Sequence, residues 1–220
     1  MKKVIISLIA ILFIACICSA QENNVIPDLS KIVKNDGWKV VNRSASLLNE
    51  NGNAIIFLDS KQGDGLAKLE NYEFNHGTIE VDLKGKDVQG SSFIGIAIRG
   101  INDSTYDAIY FRPFNFLSSD SIRKNHSVQY ISQPVYTWNK LRENFPGKYE
   151  NKIADPPNPN SFFHAKIVVK KSQISVFVNN SSIPSLIVQE LSGRTGVWVG
   201  LWVGNNSDGA FSNLKITKED

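Results

Sequence analysis

The chain is expected to be all-β, a sandwich or barrel, on three observations. Its apolar residues alternate at period two, turn residues interrupt that alternation at short intervals, and no long helical period develops. The candidate strands run Trp38–Val41, Ala54–Leu58, Leu66–Leu69, Thr78–Leu83, Phe93–Arg99 and Tyr106–Arg112 in the first half. Ser127–Ser132, Ala165–Lys170, Ile174–Asn179, Gly196–Val203 and Phe211–Thr217 follow. Asn51-Gly52, Gly63-Asp64-Gly65, His76-Gly77, Asn179-Asn180 and Ser207-Asp208-Gly209 supply the turns between them. There is no internal repeat and no second domain, so one domain spans 38–217, preceded by an irregular segment at 21–37.

The first 20 residues read as a secretory leader. Met1-Lys2-Lys3 is basic, Val4 to Ala15 is apolar, and Cys18-Ser19-Ala20 offers small residues before Gln21. The apolar run is short for a membrane span. The alternative is a lipid on Cys16, which follows Phe13-Ile14-Ala15 and would anchor the protein to a membrane. Otherwise the protein is expected to be secreted or periplasmic. Cys16 and Cys18 are the only cysteines, so the remaining chain has no disulfide, cysteine nucleophile or cysteine-ligated zinc. Loss of Lys2 and Lys3 lowers the formal charge from +3 to +1. That balance gives no electrostatic reason to expect a nucleic acid or an anionic membrane as partner.

Two strands can be paired from the sequence. Folding the hairpin so that Ile94, Ile96 and Ile98 face Phe111, Ile109 and Asp107 makes one side core. The other side collects Phe93, Gly95, Ala97 and Arg99 opposite Arg112, Tyr110, Ala108 and Tyr106. Small residues flanked by tyrosines and arginines make poor core but suit a groove for a polar, ring-shaped ligand. A guanidinium donates in a fixed fork and stacks on rings, so Arg99 and Arg112 could hold a carboxylate or sugar hydroxyls. Asp107, on the core side near the turn, is expected to cap backbone groups.

A second run, Val197-Trp198-Val199-Gly200-Leu201-Trp202-Val203-Gly204, puts its odd positions in the core and alternates indole with glycine on the other face. Trp198 is expected to pack, whereas Trp202, near the strand end and followed by Asn205, is as well placed to meet a ligand. Residues 133–161 break the strand rhythm. A short helix from Thr137 to Phe145 is expected there, with Trp138, Leu141 and Phe145 pinning it to the sandwich. A connection of this length suggests a lid beside the groove, from which Trp138, Arg142 and Glu150 reach in.

Carboxylates and histidines offer less. Glu80 and Asp82 share a strand face, as solvated residues do. Glu150 in the lid and His126 before a groove strand are the candidate catalytic groups. His164 is expected to cap its strand. No histidine pair has metal-ligand spacing, and no nucleotide or hydrolase fingerprint occurs. No cofactor is expected. The loop Asn205-Asn206-Ser207-Asp208-Gly209 has oxygens for a structural calcium, although a tight turn explains the same residues.

Phe74-Asn75-His76-Gly77-Thr78-Ile79-Glu80-Val81-Asp82 resembles the "F-x-x-G-x-I-E-V" strand of concanavalin A-like lectin/glucanase jelly rolls. Phe93–Arg99 resembles their following "G-I-x-x-R" strand, and Gly209 to Ile216 resembles their last strand. Laminin-G-like domains and the 3-keto-disaccharide hydrolase domain are the most similar branches. The resemblance implies two curved antiparallel sheets and a carbohydrate ligand on the concave one. The E-x-D-x-x-E strand of glycoside hydrolase family sixteen is missing, so its retaining mechanism does not carry over. Where the 3-keto-disaccharide hydrolases have "Y-E-x-Q", Ser127-Val128-Gln129 keeps the glutamine and lacks the acid. The expected site is therefore Arg99, Tyr106, Tyr110, Arg112, Gln129, Trp138, Arg142, Trp202 and Asn205 around a glycan. The protein is either glycoside-hydrolase-like or a non-catalytic binding module, with a structural or adhesion domain as a third class.

Overall fold

The computed structural model describes residues 23–50 and 53–219. The leader, with Cys16 and Cys18, lies outside the described residues. Among the described residues there are fifteen strands in chain order. They are β1 Asn23–Val25, β2 Trp38–Val41, β3 Ala45–Glu50, β4 Asn53–Lys61, β5 Gly65–Leu69, β6 Gly77–Lys84, β7 Ile94–Asn102 and β8 Thr105–Phe111. The second half adds β9 Val128–Ser132, β10 Glu150–Asn151, β11 Phe163–Val169, β12 Gln173–Val178, β13 Leu186–Gln189, β14 Trp198–Val203 and β15 Ser207–Lys218. Three short helices, α1 Pro113–Phe116, α2 Ser121–Lys124 and α3 Trp138–Asn144, lie in the loops.

The strands form two antiparallel sheets. One runs β13-β12-β11-β6-β15-β4-β3, with β1 on β15, and the other runs β10-β9-β8-β7-β14-β5-β2. Between them lies the core that period-two alternation dictates. On β6, Ile79, Val81 and Leu83 are buried while Glu80 and Asp82 stay half-buried on the outer face. Ile94, Ile96, Ile98, Ile109 and Phe111 line the facing sheet, and Phe111 meets Phe163 of β11 edge-on with ring centroids 5.1 Å apart.

All the expected strands form, and β1, β3, β10 and β13 are additional. Those four are short or sit at sheet edges, where pairing rather than pattern decides the conformation. The segment read as irregular, 21–37, holds β1 and a 3-10 helix, Leu29–Lys34, that buries Leu29 and Ile32. Val197 is half exposed rather than core, because β14 begins one residue later. Of the three residues expected to pin the lid, only Leu141 is buried; Tyr149 and Ile153 complete the anchor, while Trp138 and Phe145 stay exposed.

The hairpin of β7 and β8 pairs in the expected register, Ile94 with Phe111 through Ile98 with Asp107. A bulge then interrupts it between Ile98 and Asn102, with Arg99 left-handed at φ 53°. This reverses the parity of Arg99. Its guanidinium leaves the groove face, pairs with Glu190 just beyond β13 and donates to the Asn75 carbonyl (3.2 Å) just before β6. Asp107 is fully buried and serves side chains rather than backbone. It accepts from Tyr130 (3.0 Å) and Ser192 (2.8 Å) and pairs with Arg194.

Candidate functional site

Register aligns one row of side chains across the outer face of the seven-stranded sheet. Trp202 of β14 pairs with Gly95, Gly95 with Tyr110, Tyr110 with Gln129, and Gln129 with Glu150. Gly95 is the gap in the row. A Cβ there would strike the backbone of Ile109 and Tyr110, and its absence lets the Tyr110 and Trp202 rings meet at 4.9 Å. Tyr110 donates to Gln129 Oε1 (2.8 Å), which also accepts from Arg112. The Arg112 guanidinium lies 4.8 Å from the Tyr110 ring centroid and 5.6 Å from that of Phe93. Arg112 also donates to the His126 carbonyl (2.9 Å) and to the Tyr110 hydroxyl (2.6 Å).

The lid closes this row. β10 adds to the edge of β9, so Glu150 enters beside Gln129. A carboxylate from the neighbouring strand thus stands beside Gln129. Glu150 is buried, and Arg142 of α3 grips both its oxygens at 2.8–2.9 Å. Its Oε2 also lies 2.8 Å from His126 Nδ1, without hydrogen-bond alignment, and 3.8 Å from Arg112 Nη1.

Above this floor opens a cleft of about 470 Å³. Its lining includes Tyr110, Arg112, His126, Trp138, Arg142, Trp202 and Asn205, all expected from the sequence. Trp138 is half exposed and stacks over the Arg142 guanidinium at 5.1 Å. Gln129 and Glu150 lie beneath the lining, Gln129 engaged through Oε1 while its buried Nε2 has no partner, and Glu150 through both oxygens. Tyr106 is also buried, between Trp198 and Trp202, because the outer face of the sheet carries a second aromatic layer. Its hydroxyl accepts from Trp202 Nε1 (3.2 Å) and donates to Asp64 Oδ2 (2.7 Å). Arg99 is absent from the cleft for the reason of parity given above. Trp198 packs as expected, under the Lys68 ammonium and against Gly100, where any side chain would collide with the indole.

Several lining residues were not among those expected. Asp64 sits in the Gly63-Asp64-Gly65 turn, and burial raises its carboxyl above the usual carboxylate range. Arg123 of α2 and Asn115 of α1 come from the connection between β8 and β9, and Gln133 from the start of the lid. Asn205 holds the Asp64 turn by accepting from the Gly63 amide (2.7 Å). Of the Asn205–Gly209 segment only Asn205 and Asn206 form the turn, and Asp208, already in β15, pairs with Lys86 at 2.6 Å. On the opposite sheet, Asp82 takes His164 Nδ1 (2.7 Å) and Asn213 (2.6 Å). His164 therefore binds a carboxylate side chain rather than only ending its strand.

No protein-family model matches the chain, and no curated protein does. Solved structures match over most of its length. A carbohydrate-binding module of family 66 from Bacillus subtilis superposes with a TM-score of 0.57 at 16% identity, covering 82% of this chain and 95% of that one. A glycoside hydrolase family 16 endo-glucanase from Bacteroides ovatus gives 0.55 at 8% identity, covering 82% and 94%. A Bacillus subtilis protein of unknown function with a galectin-like fold gives 0.53 at 11%, covering 87% and 92%. The fold is a concanavalin A-like jelly roll.

In this jelly roll the cleft controls the charge of His126. Burial, with Arg142 and Arg112 nearby, outweighs the attraction of Glu150 and lowers its pKa below the ordinary value. A histidine with a lowered folded pKa takes up its proton more readily when unfolded. Its contribution to stability is therefore complete above about pH 6.5 and is lost as pH falls through the folded pKa. Urea midpoints measured from pH 7.5 to 5 should fall, and His126→Gln should flatten that part of the profile. An unchanged slope in the variant would place the dependence elsewhere.

Proposed function

We propose that this jelly roll binds a carbohydrate in the cleft without turning it over. The observation that carries the reading is Trp138, whose half-exposed indole stands over a cleft rimmed with arginine, asparagine, glutamine and histidine. A sugar ring presents apolar C–H faces to an indole and needs donors and acceptors around its edge. The jelly rolls that resemble this one include a carbohydrate-binding module and an endo-glucanase, which agrees with a glycan as ligand.

Hydrolysis by paired carboxyls needs two acids flanking the scissile bond. Among the described residues lining the cleft, Asp64 is the one acid, and it is tied to Tyr106. Glu150 lies behind the lining with both oxygens on Arg142, a place suited to positioning rather than proton transfer. We also propose export, on the leader read at residues 1–20, because extracellular glycans are then within reach.

The test is a panel of oligosaccharides and 3-keto-glycosides, followed by calorimetric titration and by product analysis after long incubation. Saturable binding with no product is expected. Product formation would overturn the non-catalytic part of the reading, and silence across the panel would overturn the whole of it.

A further inference from the structure

Positive charge outweighs negative charge along the cleft wall. Arg112, Arg123 and Arg142 line it, against Asp64 alone. Behind the wall one carboxylate among the described residues, Glu150, faces two of the guanidiniums, Arg142 in bidentate contact and Arg112 at 3.8 Å. The remaining donors of Arg112 go to neutral oxygens of His126, Tyr110 and Gln129.

The Arg123 guanidinium has no carboxylate partner among the described residues; Asp120, which caps α2, reaches only its backbone amide, at 3.4 Å. The guanidinium makes two long contacts to neutral oxygens, Nε to Asn115 Oδ1 at 3.4 Å and Nη2 to the Phe114 carbonyl at 3.3 Å. Asn115 is buried and fixed in turn by donating to the His126 carbonyl at 3.2 Å, so the guanidinium is aimed rather than free. Asp64 cannot neutralise this end. It belongs to the turn leading into β5, whereas Arg123 lies in the connection between β8 and β9, across β14 and β7.

We propose that the glycan bound here is anionic, its carboxylate or sulfate held by Arg123 beside Arg112. This rests on the carbohydrate-binding reading above and names the class of sugar. A neutral sugar would leave the cation surplus unmet in a half-enclosed cleft. A planar carboxylate fits the two-pronged donor edge of a guanidinium, and a sulfate offers the same oxygens in tetrahedral form.

The protein is titrated with galacturonate, mannuronate and glucuronate oligosaccharides, with their methyl esters, with a sulfated galactan fragment and with its desulfated form. Acidic members should bind, and esterification or desulfation should weaken them about tenfold or more. The uronate and sulfate arms decide which acid group is read. Raising the salt concentration should weaken acidic ligands and leave neutral ones unchanged. Arg123→Gln should lose about tenfold for the acidic ligand alone, with Arg123→Lys recovering part of it, because charge remains but the fork does not. Thermal melts of both variants check that the fold is intact. Esters binding as well as acids, or neutral glycans alone binding, would overturn the anionic proposal while leaving glycan binding in place. If no glycan binds at all, both readings fall.

Discussion

Glu150→Gln should lower the unfolding free energy by about 3 kcal/mol, near the bottom of the range for breaking one side of a buried ion pair. Glu150 and Arg112 are each 4% exposed, and Arg142 retains some contact with water, which limits the loss. The amide keeps the shape of the carboxylate but cannot balance Arg142 and Arg112, and it brings donors where those guanidiniums already point. The Glu150–Gln129 register also fastens the lid to the sheet edge, so the damage should extend to β10. Urea denaturation gives the value. Removing the cation as well, with Glu150→Gln and Arg142→Met together, should recover part of it, since neighbouring residues do not act additively. A single variant within about 0.5 kcal/mol of the parent would show that the cluster is solvated and that the lid is held by Leu141 and Tyr149 instead.

Trp138→Ala should do the opposite, sparing the fold and damaging recognition. Half of the side chain is already in water, so its truncation should leave the denaturation midpoint nearly unchanged. Affinity for the glycan should fall by about thirtyfold, equivalent to roughly 2 kcal/mol, as for an aromatic anchor at the centre of an interface. Trp138→Phe should recover much of that. Titration of the three proteins with one oligosaccharide decides the matter. Equal affinities would move the stacking surface to Phe93 and Trp202 on the cleft floor.

Parity made the pairing of Gly95 with Tyr110 legible in the sequence, because strict alternation fixes both register and face once a hairpin is paired, whereas Gln129 was reached through the resemblance. The same reasoning misplaced Arg99, since the bulge adds two residues to β7 and its Gly100 reads equally well as the start of the turn. Glu150 could be suspected from its lid but not located, because a two-residue strand has no period to read. Asp64 was hidden in a Gly-Asp-Gly sequence whose turn chemistry accounts for it completely. Arg123 was the more accessible omission. It lies three residues before His126, on the approach to a strand already assigned to the groove, and a charge count of that connection would have raised it. The buried state of Tyr106 and Trp198 is a tertiary effect, arising only when side chains of two separated hairpins layer over one face.

The bulge at Arg99 has a consequence for how this surface can vary. Within a regular hairpin, changing the charge of the cleft means exchanging one amino acid for another. Here segment length does the same work, because three residues, Arg99 to Ile101, stand opposite Tyr106 alone, and the arginine is a clamp near β13 and β6 instead of a residue of the ligand side of the sheet. Shortening the stretch between Ile98 and Asn102 by two residues would restore the regular register, return that cation to the aromatic floor and strip Glu190 of its partner at the same stroke. Specificity and the closure of the far end of the sandwich are thus linked through spacing, and a comparison of related chains made by substitution alone would miss the link.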